Sequence, residues 1–138
     1  MRLAEAQCRQ RFESAPIARL ATVDEHGQPH LVPAVFAVDG DVAVIAVDDK
    51  PKTSRELRRL RNIEANPLVS LLVDHYAEDW NRLWWVRVDG RARIVREPAA
   101  MAAPIDRLVA KYPQYQAVRP AGPVIRVDIT RWVGWSAS

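Results

Sequence analysis

The sequence IARLATVDEHGQPHLVPAVFAVDGDVAVIAV, residues 17–47, is the part of the chain that decides the predicted fold. It contains three apolar runs, at 17–23, 30–38 and 42–47, that are rich in β-branched residues and separated by short polar turns. Runs of this kind between turn residues are typical of β-strands. DEHGQ forms the first predicted turn, and DGD at 39–41 predicts a tight hairpin with a type I′ turn. The stretch therefore predicts three consecutive antiparallel strands.

Further strands and three helices are predicted along the rest of the chain. The helices are predicted at 3–14, from Thr53 or Ser54 to Asn66 and at 98–111, and the strands at 68–76, 83–97 and 124–135. A bulge is expected at Gly90, because glycine tolerates the local bend that an extra residue introduces. Residues 112–122 are predicted to form a loop. Six antiparallel strands in a single sheet would coil into a small barrel, so the predicted fold class is mainly β with short helices.

Length and composition restrict the class of protein. The 138 residues correspond to one domain, 1–138, and 49% hydrophobic with 27% charged residues is the balance of a soluble globular protein. The net charge of +3 favours anionic partners without demanding nucleic acid. The single cysteine, Cys8, excludes an intramolecular disulfide and favours a reducing cytoplasm. No apolar run approaches the roughly 20 residues that cross a membrane, so a cytoplasmic location is predicted.

A basic segment at 50–61 indicates a site for an anion. On a helical wheel, one side of this segment carries the apolar residues Leu57, Leu60 and Ile63. The opposite side carries Lys52, Arg55, Arg58, Arg59 and Asn62. A solvated charged face is the simpler interpretation, but few acids accompany these bases. The hydroxyls of Thr53 and Ser54 also lie at the helix start, where N–H groups and the helix dipole favour phosphate.

Nucleic-acid, membrane and metal binding are weaker interpretations. A helix-turn-helix needs a second helix a few residues away, whereas strands flank this helix, and no aromatic residues alternate with the bases. A membrane-surface helix needs apolar residues that are free to insert, and here these are expected in the core. The histidines His26, His30 and His75 are scattered, and no metal-binding motif is present. No nucleic-acid, membrane or metal partner is therefore expected.

Two long segments carry a resemblance to a known family. They are residues 20–47, LATVDEHGQPHLVPAVFAVDGDVAVIAV, and residues 60–90, LRNIEANPLVSLLVDHYAEDWNRLWWVRVDG. Over residues 17–135 the chain resembles the pyridoxamine 5′-phosphate oxidase-like superfamily, and most of all its actinobacterial group of small oxidoreductases that depend on the deazaflavin coenzyme F-420. The resemblance implies an FMN-binding split β-barrel and a homodimer with cofactor sites at the subunit interface. It also implies redox chemistry carried by the cofactor rather than by a catalytic side chain.

The resemblance implies which residues hold the cofactor. Arginine suits bidentate phosphate contact, and the polyglutamate tail of F-420 rewards extra positive charge. The implied phosphate grip is Lys52, Arg55, Arg58, Arg59 and Asn62. The flat ring is expected along Val32, Pro33, Ala34 and Val35, with Ala21 and Thr22 beside it on the neighbouring strand. Because Pro33 lacks an N–H, it is predicted at an edge or where strand pairing is broken.

Three residues are candidates for the substrate side of the site. Packing explains most of the five tryptophans, but Trp80 lies in a loop and Trp135 lies near the C-terminus, where the family often closes over the ring or substrate. His75 ends a strand and could face the site, although a structural role is the simpler interpretation. Tyr112 and Tyr115 are weaker aromatic candidates.

The implied reaction is hydride transfer from C5 of F-420 to an electron-poor double bond of an unsaturated or quinone-like organic substrate. Two alternatives stay open: an FMN-binding flavoprotein of the same fold, and a cofactor-binding or carrier protein without turnover. The chain ends ITRWVGWSAS and lacks the C-terminal Arg-containing substrate motif of the pyridoxamine phosphate oxidases. Oxidation of vitamin B6 is therefore not expected.

Overall fold

A computed structural model describes residues 1–47 and 54–138, with the backbone alone for residues 54–57. The elements in chain order are α1 (Glu5–Ser14), β1 (Ala18–Val23), β2 (Pro29–Ala34), β3 (Ala37–Asp39), β4 (Val42–Ala46), α2 (Ser54–Ala65), β5 (Leu68–His75), a 3-10 helix (Trp80–Arg82), β6 (Trp84–Val95), α3 (Pro98–Lys111), α4 (Pro113–Ala117) and β7 (Val124–Ser136). The predicted helix at 98–111 is confirmed at both ends. A proline at its first position explains where the helix begins, because the missing N–H has no partner to lose there.

The strands of the described residues form one seven-stranded sheet in the order β2-β1-β5-β6-β7-β4-β3. Every neighbouring pair is antiparallel. The two outermost strands follow each other in the chain, since β2 ends at Ala34 and β3 begins at Ala37. Three residue steps span at most roughly 11 Å, whereas the outer strands of a flat seven-stranded sheet would lie roughly 29 Å apart. The sheet therefore coils into a split barrel, which confirms the predicted fold class with seven strands instead of six.

The seventh strand comes from a break in the stretch predicted as one strand, 30–38. Val35 and Phe36 lie outside both β2 and β3. Residues before the break pair with β1, and residues after it pair with β4 at the other end of the sheet. The apolar pattern is the same on both sides of the break, so the sequence does not indicate that the chain changes its pairing from β1 to β4 there. Pro33 lies on an outermost strand, as predicted from its missing N–H.

Glycine positions explain two further local features. Gly40 has a φ of 59°, and no non-glycine residue in the described ranges has a positive φ. A type I′ turn needs a positive φ at both central residues, and Asp41 does not have one, so the predicted turn type is wrong. A type II′ turn needs a positive φ only at its first central residue, which here is Gly40. The predicted bulge is confirmed, because the pairing of β6 with β7 shifts register between Asp89 and Gly90. A Cβ at Gly90 would collide with the carbonyl oxygen of Asp128, so only glycine fits at this position.

The barrel interior is filled by one large apolar core. Leu20, Phe36, Ile45, Leu71 and Val88 are among its fully buried members. Helix α1 adds Phe12, whose ring centroid lies 4.7 Å from that of Phe36 and 5.6 Å from that of Trp132.

A second, smaller core lies on the outside of the sheet, where α3 packs against β3, β4 and β7. Its buried members are Ala37, Val44, Ile105, Leu108 and Val124. Helix α3 therefore covers one part of the outer surface. Among the described residues, no helix is both long and apolar enough to cross a membrane.

Candidate functional site

The basic helix α2 lies against the barrel and presents arginines beside the β1–β2 turn. Leu60 and Ile63 are buried, which holds the helix in place, while Arg58 and Arg61 are exposed and Arg59 is half-buried. A cleft of about 270 Å³ is lined by Asp24, Glu25, His26, Arg58, Arg61, Asn62 and Ala65. The predicted contacts of Lys52, the helix cap at Thr53 or Ser54 and the side chain of Arg55 lie outside the described residues. The described half of the segment thus carries positive charge at a concave surface.

The turn that faces α2 is held by one carboxylate. Asp24 accepts hydrogen bonds from the backbone N–H groups of His26, at 2.8 Å, and Gln28, at 2.9 Å. The pKa of Asp24 is lowered, mainly by the Gln28 N–H and further by the His26 N–H and the positive charge of Arg58. The carboxylate therefore remains ionised and places a negative charge opposite the arginine. An anion in this cleft would be held by Arg58 and Arg61 and repelled by Asp24 and Glu25.

Asn62 does not lie on the exposed face of α2, so that part of the helical-wheel prediction is wrong. The residue is only 4% exposed, and its Nδ2 donates a hydrogen bond to Oγ1 of Thr22 at 3.1 Å. Thr22 is also buried. A buried amide is stable only when it is hydrogen-bonded, and the inward-facing threonine of β1 supplies the partner. The two residues join α2 to β1, and Asn62 also lines the cleft.

The predicted ring-lining residues divide between the two faces of the sheet. Strand alternation places Ala21 of β1 on the same outer face as Leu31 and Pro33 of β2, through the pairings Ala21–Leu31 and Arg19–Pro33. The inward positions are Thr22, Val32 and Ala34, and Val35 follows in the break. A flat ring on the outer face would therefore meet the side chains of Ala21 and Pro33, and the inward residues only through their backbone.

A second shallow cleft lies on this outer face and contains polar residues that the sequence analysis missed. It measures about 320 Å³ and is lined by Ala21, Val23, Leu68, Val69, Ser70, Asp89, Gly90 and Thr130. Asp89 accepts hydrogen bonds from Oγ of Ser70, at 2.7 Å, and from Nε of Arg87, at 2.9 Å. The period-2 alternation of VRVDG would have placed Arg87 and Asp89 together on the outer face of β6.

The three substrate-side candidates do not converge on one face. Trp135 pairs with Trp85, whereas His75 pairs with Trp84 one position further along, so Trp135 and His75 point to opposite faces. The His75 ring stacks on Trp84 at 6.0 Å between centroids. Trp80 lies in the 3-10 helix and is 69% exposed. These positions place Trp80 and His75 at one end of the barrel and Trp135 on its outer wall.

Comparison with known proteins places this arrangement in a family. The sequence profile described as pyridoxamine 5′-phosphate oxidase matches residues 4–136. A 5a,11a-dehydrotetracycline/5a,11a-dehydrooxytetracycline reductase of Streptomyces rimosus is 39% identical over 59 residues, which is 41% of this chain and 38% of that enzyme. The chain thus spans well under half the length of that relative.

Solved structures show the same fold at lower identity. A conserved hypothetical protein from Mycobacterium tuberculosis superposes with a TM-score of 0.77 at 24% identity, covering 98% of this chain and 86% of that one. An FAD-binding protein from Mesorhizobium loti gives a TM-score of 0.75 at 21% identity, covering 97% of this chain and 95% of that one. Their similarity extends over the whole split barrel described above.

Proposed function

The chain belongs to the pyridoxamine 5′-phosphate oxidase family, and from that premise we propose that it is an oxidoreductase that uses the deazaflavin coenzyme F-420. The observation that carries the proposal is the exposed pair Arg58 and Arg61, which lie on α2 at a concave surface beside the turn between β1 and β2. Arginines bind phosphate and carboxylate groups by charge-assisted hydrogen bonds. F-420 carries both groups, because its phosphate is followed by a polyglutamate tail.

The residues of this chain would bind and orient the coenzyme. Arg58 and Arg61 would hold the anionic part, together with the other bases of the segment, Lys52, Arg55 and Arg59. Pro33 and Ala21 would lie along the ring. When bound, the coenzyme supplies the hydride, so the protein needs no catalytic side chain of its own. Apolar residues next to Ala21, such as Leu31 and Leu68, would exclude water from the ring.

A homodimer completes the proposed site. Leu31 is 66% exposed and Leu68 is 55% exposed, and both lie on the bare outer face beside the cleft that Ala21 and Val23 line. Large, contiguous exposed apolar patches on a folded domain usually mark an interaction surface. A second copy seated on this face would cover these side chains and enclose the ring between the two subunits. The polar residues Asp89 and Arg87 would lie at the edge of the same interface.

The proposed substrate is a neutral, unsaturated or quinone-like organic molecule. The reductase of Streptomyces rimosus supports this class, because its name describes an oxidoreductase that acts on an unsaturated polycyclic compound. Trp80, Trp135 and His75 remain candidates for substrate contact.

A flavin is the second candidate cofactor. It is supported by the family itself and by the FAD-binding protein from Mesorhizobium loti, which has the same fold. A flavin mononucleotide has one phosphate and no polyglutamate tail, so it would use fewer of the arginines on α2. A carrier protein without turnover would bind the same cofactors, and only reduction of a substrate separates it from an enzyme.

A fluorescence titration with F-420 and FMN at the same salt concentration tests the cofactor. We expect tighter binding of F-420. The double variant Arg58→Ala with Arg61→Ala should lose about 2–4 kcal/mol of F-420 binding free energy, because two charge-assisted contacts are removed. The matched control is Arg107→Ala with Arg119→Ala, which removes two exposed arginines that pair with Asp39 and Asp106 on the α3 side.

Two outcomes of this titration, and one outcome of a turnover assay with the reduced coenzyme, would change the proposal. Tighter binding of FMN than of F-420 would favour the flavin, and unchanged F-420 affinity in the Arg58/Arg61 variant would refute the proposed phosphate grip. Binding without oxidation of the reduced coenzyme by any unsaturated substrate would favour the carrier.

A further inference from the structure

A third cleft lies at the break between β2 and β3, where the chain crosses from one end of the sheet to the other. It measures about 430 Å³ and is lined by Pro16, Val35, Tyr112, Gln114 and Tyr115. Ligand sites for small organic molecules typically measure roughly 300–1,000 Å³. None of the five lining residues carries a formal charge at neutral pH, in contrast to the arginine cleft at α2. The two clefts therefore suit different chemical groups.

The wall formed by Tyr112 is held in place by hydrogen bonds to the backbone. The Oη of Tyr112 accepts a hydrogen bond from the N–H of Phe36 at 3.0 Å. The same hydroxyl can donate to either of two carbonyl oxygens, that of Phe36 at 2.9 Å or that of Pro16 at 3.0 Å. Burial raises the pKa of Tyr112, so its hydroxyl stays protonated at neutral pH. Because this side chain is fixed from two segments, the cleft exists before any ligand enters.

The second wall adds an aromatic surface at a right angle to the first. The centroids of the Tyr112 and Tyr115 rings lie 5.9 Å apart, and the ring planes make an angle of 78°. A flat unsaturated molecule could stack on one ring and meet the other ring edge-on, which are the two favoured aromatic geometries. The Gln114 amide can donate or accept one hydrogen bond and so orient a carbonyl group. A charged molecule would lose hydration in this cleft without meeting an opposite charge.

The position of the cleft connects it to the proposed ring-lining strand. Val35 lines the cleft and is the last of the four residues expected along the cofactor ring, directly after Val32, Pro33 and Ala34. An occupant of the cleft would therefore lie next to the end of that strand. Its uncharged aromatic walls distinguish it from the exposed Trp80 region, which offers a single open surface.

We propose that this tyrosine cleft binds the neutral, flat, unsaturated molecule that accepts the hydride, a role that rests on the proposed function. The acceptor would gain a hydride at an electron-poor carbon: a C–H bond of the reduced coenzyme would break, a C–H bond of the acceptor would form, and the π bond of the acceptor would open. The resulting anion would take a proton from water. The coenzyme would thereby be oxidised by two electrons and the acceptor reduced by two.

Equilibrium dialysis of the cofactor-free protein with menadione, a neutral bicyclic quinone, tests the cleft. Gln114→Glu places a negative charge on its wall, and we expect the affinity for menadione to fall about tenfold. Gln116→Glu is the matched control, because it makes the same change two residues further on α4. The Gln116 side chain is exposed, bonds only to the Val109 carbonyl among the contacts described and does not line the cleft. Its affinity should stay within about twofold of the unmodified protein.

The outcomes separate the cleft from the cofactor proposal. Loss of menadione binding in Gln114→Glu but not in Gln116→Glu supports the cleft, even if F-420 and FMN both fail to bind and the proposed function is wrong. Equal binding by the unmodified protein and Gln114→Glu, or no saturable binding by the unmodified protein, overturns the cleft proposal. The F-420 titration of the unmodified protein decides the proposed function independently of this result.

Discussion

The outer surface of the barrel has two halves that differ in how the chain covers them. Over β3, β4 and β7, helix α3 packs Ile105 and Leu108 onto the sheet and forms a second apolar core. Over β2, β1 and β5, no helix of the described residues covers the outward side chains of Leu31 and Leu68, which stay exposed. The covered half stabilises the folded chain, whereas the bare half offers apolar surface to another molecule. Helix α3 thus stabilises the sheet over one half of its outer surface, and the proposed interface lies on the other half.

The largest expected effect is loss of packing in the covered half. Leu108 has no exposed surface, so Leu108→Ala should lower the free energy of unfolding by about 3 kcal/mol, through lost burial and the cavity left behind. The matched change in the bare half is Leu31→Ala, which should cost under about 0.5 kcal/mol in the monomer. Urea denaturation at submicromolar protein concentration measures both. Equal losses in the two variants would contradict the difference between the halves.

The next effect concerns association through the bare half. Leu31→Asp places a charge at the centre of the proposed dimer interface and should raise the dissociation constant of the dimer by at least about thirtyfold, or about 2 kcal/mol. Val118→Asp is the control, since Val118 is 67% exposed and lies beyond α4 on the covered side. Sedimentation equilibrium would distinguish the two variants. A dimer that tolerates Leu31→Asp would place the interface elsewhere.

A smaller effect is expected at Lys111, a lysine of the covered half whose amino group is buried. The Nζ of Lys111 has no exposed surface and no hydrogen-bond partner, and it lies 3.8 Å from the centroid of the Phe36 ring. Burial lowers its pKa to about 8, partly opposed by the negative charge of Glu13. Between pH 8 and the usual lysine value the unfolded chain binds more protons than the folded chain. The free energy of unfolding should therefore rise with pH across this window.

Lys111→Met should remove this rise and increase the free energy of unfolding at pH 7 by about 1–2 kcal/mol, an amount reduced because the side chain is only half-buried. Arg107→Met, one turn earlier on α3, is the control, because Arg107 is exposed and paired with Asp39. Denaturation at pH 7 and pH 9.5 measures both variants. A pH-dependent rise that persists in Lys111→Met would assign it to another group.

Local patterns predicted most of the elements. The first strand was predicted at 17–23 and lies at Ala18–Val23, and the last was predicted at 124–135 and lies at Val124–Ser136. These limits were accessible because β-branched residues and turn residues act over a few neighbouring positions. Helix α4 was missed, since its five residues contain little helical periodicity and lay in a segment that reads as a loop.

Residues of the candidate site were predictable from the sequence only where the spacing of neighbouring residues indicates which way they face. The helical spacing predicts Arg58 on the cationic surface of α2, whereas Arg61, which lines the same cleft, was not among the predicted contacts. The inward position of Asn62 was not predictable, because it depends on the hydroxyl of Thr22, forty residues earlier in the chain. The Tyr112 hydroxyl likewise bonds to the backbone of Phe36, seventy-six residues away.

The sequence by itself determined the type of nearly every element, the bulge at Gly90 and the basic face of the second helix, because these depend on φ preferences and on the period of neighbouring residues. Only the tertiary structure decided that the chain breaks at Val35 and Phe36, that β2 and β3 become the two outermost strands, and that one half of the outer surface stays bare. These features depend on which distant strand each segment pairs with and on where α3 packs. A local pattern shows that a face is apolar, but it carries no information about what will cover that face.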